Sequence, residues 1–167
     1  MKRSALSIAL CLLIASGGVA QTKTPVEGVW KIAERIVPGT NPRAKGVAIT
    51  YINLPSLIIF TRAYYSQVYL SEDEPRAALP RPKDTQNLTD IEKIARYESW
   101  RPFFANAGSY EIKGSALILH PSVAKNPNQM NGRWPALEFK LEGPNTLWLI
   151  PAEESTIEPR IKLTRVE

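Results

Sequence analysis

The sequence predicts a mainly β fold, an antiparallel barrel or sandwich, with a single helix. Two observations carry this. Beyond residue 25, short runs rich in β-branched and aromatic residues recur, each bounded by Gly, Pro, Asn or Asp. One segment, after Thr89, carries instead a capping residue and helical spacing. Closing the sheet on itself removes the edges that a β-rich chain otherwise exposes.

The elements follow in order. Residues 1–20 read as a secretory signal: Lys2 and Arg3 start it, Ala5 to Ala15 form a short apolar core, and Gly18-Val19-Ala20 is a small-x-small cleavage site. The core is shorter than the roughly twenty residues a membrane span needs. Residues 21–167 then form one domain. Val26 to Val37 is the first strand, broken by Pro38-Gly39-Thr40-Asn41-Pro42, and Gly46 to Asn53 is the second. Leu57 to Phe60 and Tyr64 to Leu70 make a hairpin whose second arm puts Tyr65, Gln67 and Tyr69 on one face. Ser71 to Asn87 is a proline-punctuated loop, and Thr89 or Asp90 caps a helix that Pro102 ends or kinks. A meander follows: Gly108 to Lys113 with Ala116 to His120, a polar loop from Asn126 to Gly132, Trp134 to Leu141 with Thr146 to Ile150, and Arg160 to Val166.

Charge and composition exclude several functions. Loss of Lys2 and Arg3 takes the formal charge from +5 to +3. The remaining basic residues are spread along the chain, which argues against nucleic acid as a partner. No second apolar run approaches membrane length, so the mature chain is not expected to insert stably in a bilayer. Cys11 is the only cysteine and lies within the signal, preceded by Leu10, so neither a lipid anchor nor a disulfide is expected.

Catalytic signatures are sparse. His120 is the only histidine, and no metal-ligand spacing surrounds it. It fits either a strand-end hydrogen bond or a general base, the former reading being favoured. No Gly-x-Ser-x-Gly elbow and no phosphate-cradling glycine loop occur. No metal and no cofactor are expected. Trp100-Arg101-Pro102-Phe103-Phe104 is the most distinctive apolar and basic cluster. It reads either as a helix-end plug packed on the sheet or as a lid, with Phe103 or Phe104 touching a ligand and Arg101 steering an acidic headgroup. Arg133-Trp134 offers similar groups.

Several segments together resemble bacterial secreted lipocalin-like domain proteins. They are Gly28-Val29-Trp30, Pro55 to Thr61 with Tyr65-Ser66, Trp100 to Asn106 followed by Ala107 to Glu111, Lys125 to Asn128, and Lys162 to Glu167. The resemblance covers nearly all of residues 21–167. It implies a lipocalin-like antiparallel up-and-down β-barrel with one covering helix and a central cavity, and no established reaction. It also implies a closed-end plug in which Arg165 lies over Trp30, while Gly28 lets the strand bend or another chain approach.

The function expected from these readings is non-enzymatic binding of a small, mainly apolar or amphipathic ligand by a periplasmic or secreted protein. Tyr65, Tyr69, Trp100, Arg101, Phe103, Phe104, His120 and Arg133 are the expected contacts. Two alternatives stand beside it. One is an isomerase or cyclase using Tyr65, Tyr69 or His120 as acid–base groups; the other is a loop-mediated interaction protein with a filled interior. The sequence specifies neither the ligand nor the oligomeric state.

Overall fold

Apolar alternation and Gly/Pro punctuation resolve into nine strands and one helix in the computed structural model, which describes residues 23–73, 78–131, 136–152 and 158–167. The signal expected at residues 1–20 lies outside these. The strands are β1 (Gly28–Val37), β2 (Ile49–Ile52), β3 (Ser56–Phe60), β4 (Tyr64–Leu70), β5 (Phe103–Lys113), β6 (Ala116–Ala124), β7 (Leu137–Leu141), β8 (Thr146–Pro151) and β9 (Arg160–Arg165); the helix is α1 (Asp90–Trp100). Eight strands, β1 and β3 to β9, run antiparallel in sequence order, and pairing of β1 with β9 closes them into a barrel. The extra strand β2 lies end to end with β3 along one edge of β1. Ile49–Ile52 pair with the far half of β1, and Ile58–Phe60 with its beginning. Asn53, at φ +52°, makes the kink between them, and its N–H donates to the Ala33 carbonyl at 2.9 Å.

Inward side chains form the core. Trp30, Ile32, Ile58, Phe60, Leu117, Leu119, Leu147, Leu149, Ile161 and Leu163 alternate along their strands and are all buried. Such residues stabilise by roughly 1.5–3 kcal/mol each on leaving water.

Two boundaries differ most from the sequence expectation. β5 begins at Phe103 rather than Gly108, because Phe103 to Ala107 pair with Leu70 to Ser66. Pro102 stands just before the strand, where its missing N–H costs no ladder bond. β6 runs on past His120 through Pro121 to Ala124. A register shift, with Gly108 opposite Pro121 and Ala107 opposite Val123, leaves Ser122 as the extra residue. Gly108 is required there, since a β-carbon would fall 2.0 Å from the His120 carbonyl oxygen.

The seam between β6 and β7 is short. Only Ala116 and Leu117 pair with Glu138 and Leu137 among the described residues. Beyond it, a 3-10 turn at Pro127–Met130, capped by the Asn126 side chain, folds back onto β6 and buries Gln129.

Candidate functional site

One end of the barrel is closed by its own side chains. The Trp30 indole N–H donates to the Val26 carbonyl at 2.8 Å, and the Arg165 Cζ stands 4.1 Å from the centre of the Trp30 ring. Arg165 also donates to the carbonyls of Glu27 (2.7 Å) and Pro144 (2.8 Å). Gly28, at φ +149°, leaves room for this guanidinium: a β-carbon would sit 2.1 Å from Arg165 Nη1. Tyr110 ties the β3–β4 turn to the N-terminal segment. Its hydroxyl donates to the Thr61 carbonyl at 2.6 Å and meets the Thr24 hydroxyl at 2.8 Å.

The other end has a different lining, created by one irregularity. Ile32 pairs with Leu163 but Glu34 pairs with Lys162, so Ala33 is an extra residue in β1. Strict alternation from Trp30 and Ile32 would send Glu34 inward. The bulge reverses the parity and buries Arg35 and Val37 instead. Glu34 stays on the other face, paired with Lys162 at 2.9 Å. Arg35 is only 9% exposed. Its Nη1 donates to the Ser71 carbonyl at 2.9 Å, and its Cζ lies 5.8 Å from the centre of the Tyr51 ring. Its Nε is buried without a hydrogen-bond partner among the described residues. No salt bridge to Arg35 occurs among them either.

β4 and β5 supply the adjoining wall. Opposed in register, Tyr69 and Phe104 both turn inward and stack with ring centres 4.5 Å apart. The Arg35 charge acts on the Tyr69 phenol, yet burial dominates and pushes its pKa up to about 12, with Glu158 adding to the rise. One step deeper, Gln67 Nε2 donates to Asn106 Oδ1 at 2.8 Å, and Asn106 Nδ2 donates to Gln129 Oε1 at 2.9 Å. All three are buried. Tyr65 lies below them against Phe60, its hydroxyl buried and unpartnered among the described residues and its pKa raised by burial. An unpaired buried polar group costs about 1–3 kcal/mol, so two of them in one barrel mark places where a hydrogen-bonding guest is favoured.

The structure thus brings Tyr65, Tyr69 and Phe104 into the interior. Trp100, Arg101, Phe103 and His120 stand apart from them. Phe103 faces outward, where its ring meets Trp100 edge-on at 5.2 Å. Trp100 itself is 55% exposed. Arg101 is paired with Glu98 (2.9 Å) and Glu72 (3.3 Å). His120 stands on the outer surface. It follows buried Leu119 on β6, is exposed, and has Nε2 3.3 Å from Glu111 Oε1. Arg133 lies outside the described residues. Among the described residues Arg35, Gln67, Ser71, Asn106 and Gln129 are buried polar groups absent from the expected contacts. For Gln67 a signal existed, since it shares a strand face with Tyr65 and Tyr69; for Arg35 alternation pointed the wrong way.

Among the described residues no three His, Cys, Asp or Glu side chains gather closely enough to hold a metal ion. No family model, curated protein or solved structure matches the chain.

Proposed function

We propose that this is an exported, non-enzymatic binding protein that holds a small, mainly apolar molecule in the half of the barrel opposite the Trp30 plug. The observation that carries the reading is the pairing of inward aromatic surface with unspent polar capacity. Tyr69 and Phe104 offer stacked rings, while Arg35 Nε and Tyr65 Oη are buried donors without acceptors among the described residues. Small-molecule sites combine these two properties: apolar lining for affinity, a few polar groups for orientation. The resemblance to secreted lipocalin-like domains supports the same reading, as does the signal-like start of the sequence.

The acid–base alternative finds less support. Burial holds Tyr65 and Tyr69 protonated, which suits donation of a hydrogen bond rather than proton abstraction. The one histidine lies on the outer face, away from both.

The test is a titration with phenylnaphthylamine, a neutral apolar fluorophore, with circular dichroism run on the same samples. Saturable binding in the micromolar range, on the order of −8 kcal/mol, is expected. Phe104→Ala and Tyr69→Ala each weaken it roughly tenfold with the barrel still folded, because each removes one ring of the stacked pair. Phe103→Ala, facing outward, leaves it unchanged. Absence of saturable binding by folded protein contradicts the proposal.

A further inference from the structure

We infer that the ligand carries a single carboxylate, and that Arg35 is the residue that anchors it. This rests on the binding reading above and extends it to the chemical class of the ligand.

The argument starts from the cost of the arrangement. A guanidinium has five N–H donors and no acceptor, and it stays charged at any pH the protein meets. Removing it from water is unfavourable unless its donors are used and its charge is balanced. Arg35 is nine-tenths buried. Among the described residues its hydrogen bonds go to neutral groups, the Ser71 carbonyl and the Tyr69 hydroxyl, and these with a distant Tyr51 ring balance little of that charge. The bulge at Ala33 is the device that brings it in; without that extra residue Arg35 would stand on the outer face.

The geometry specifies an anion more closely. Ser71 is itself fixed, its N–H and hydroxyl both donating to the Pro102 carbonyl at 2.7 and 3.0 Å. That holds one edge of the guanidinium just past the end of β4 and leaves the buried Nε for another acceptor. A carboxylate bonds a guanidinium through two parallel N–H donors, a planar match that a hydroxyl or carbonyl lacks. Tyr69 stands beside Arg35 and remains protonated, so its phenol is a further donor. Glu158 contributes negative charge near the same phenol. One negative charge on the guest therefore suits the site better than the two of a phosphate monoester. The stacked Tyr69 and Phe104 rings lie next to this anchor, where the apolar body of an acid would follow its headgroup.

The experiment displaces phenylnaphthylamine from the folded full-length chain with decanoic acid or with decyl alcohol. The two share an alkyl chain and differ in the headgroup. At about pH 8 the acid is fully ionised. Wild type should prefer the acid by about tenfold or more, the size of a charge-assisted pair. Arg35→Met should remove that preference by weakening the acid far more than the alcohol, and Arg35→Lys should retain part of it, since an ammonium keeps the charge but not the planar fork. Equal displacement by acid and alcohol, displacement by neither, or an Arg35→Met protein that still prefers the acid overturns the inference and leaves the apolar-binding reading standing. No saturable phenylnaphthylamine binding by folded wild type removes both. Should Arg35→Met fail to fold, the wild-type comparison and Arg35→Lys decide.

Discussion

Arg165 joins three separate parts of the chain at the closed end: the segment before β1 through Glu27, the β7–β8 turn through Pro144, and the Trp30 ring beneath it. Trp30 fills the space those parts enclose and is fully buried. Trp30→Ala should therefore cost roughly 3–5 kcal/mol, the range for emptying an aromatic core position. Arg165→Ala should cost less, about 0.5–2 kcal/mol from the ring contact, in addition to the carbonyl bonds it loses. Urea denaturation midpoints measure both. The buried phenols give a second prediction. Tyr69 ionises near 10 when unfolded and about 12 when folded, and Tyr65 and Tyr110 are raised in the same direction. Above pH 10 the unfolded chain loses these protons first, so stability is full below that pH and falls as pH rises through 12. Tyr69 alone accounts for on the order of 2–3 kcal/mol of that fall. Denaturation midpoints against pH should show a slope that flattens in Tyr69→Phe. Gly28, Trp30 and Arg165 are legible in the sequence through its resemblance to lipocalin-like domains, which implies a plug of this kind. Arg35 is not legible there: alternation from Trp30 and Ile32 places it outside, and only strand pairing reveals the extra residue at Ala33.

At the scale of elements, α1 is the exception to a molecule otherwise held by its core. None of its residues is buried, and Ile91, Ile94, Tyr97 and Trp100 are all exposed. It is held at its ends. Thr89 accepts from the Glu92 N–H at 3.3 Å, and the Glu92 carboxylate accepts from the Thr89 N–H at 2.8 Å, which also lowers the Glu92 pKa. At the other end the Lys125 ammonium donates to the carbonyls of Trp100, Arg101 and Phe103, where a cation also suits the helix dipole. Thr89→Ala should cost about 1 kcal/mol of local helix stability. Hydrogen exchange across residues 90–100 should accelerate accordingly, while the denaturation midpoint of the barrel stays within about 0.5 kcal/mol of wild type. A shift of the whole molecule by the full amount would mean that α1 is integral to the core. The capping signal makes this helix readable in the sequence. Its exposure is not readable, because an apolar stripe looks the same whether or not a partner covers it. The start of β5 is obscured for a related reason: Pro102 marks the helix end clearly, while the pairing of Phe103 to Ala107 with β4 depends on residues some forty positions earlier.

The whole molecule divides into two halves along the barrel axis. One is spent on closure, with Trp30, Phe60 and Tyr110 packed or hydrogen-bonded and Arg165 outside them. The other contains Arg35, Tyr69, Phe104 and the Gln67–Asn106–Gln129 chain. Buried polar groups that leave donors unused reduce stability, so the second half is less stable than an apolar filling would make it. That asymmetry is the physical basis of the proposed binding role. The rhythm of short strands and turns makes a barrel or sandwich legible in the sequence, and the resemblance to lipocalin-like domains points to the barrel. Its polar half is legible only in part, since Tyr65, Gln67 and Tyr69 share a strand face, whereas Gln129 reaches them from a turn that reads in sequence as a plain loop. Native mass spectrometry of the folded protein purified from its own host tests the central claim most directly. The account predicts a non-covalent small-molecule adduct that leaves on mild activation and is recovered as an organic acid. Ions of folded protein at the bare polypeptide mass alone, with no released molecule, would contradict it.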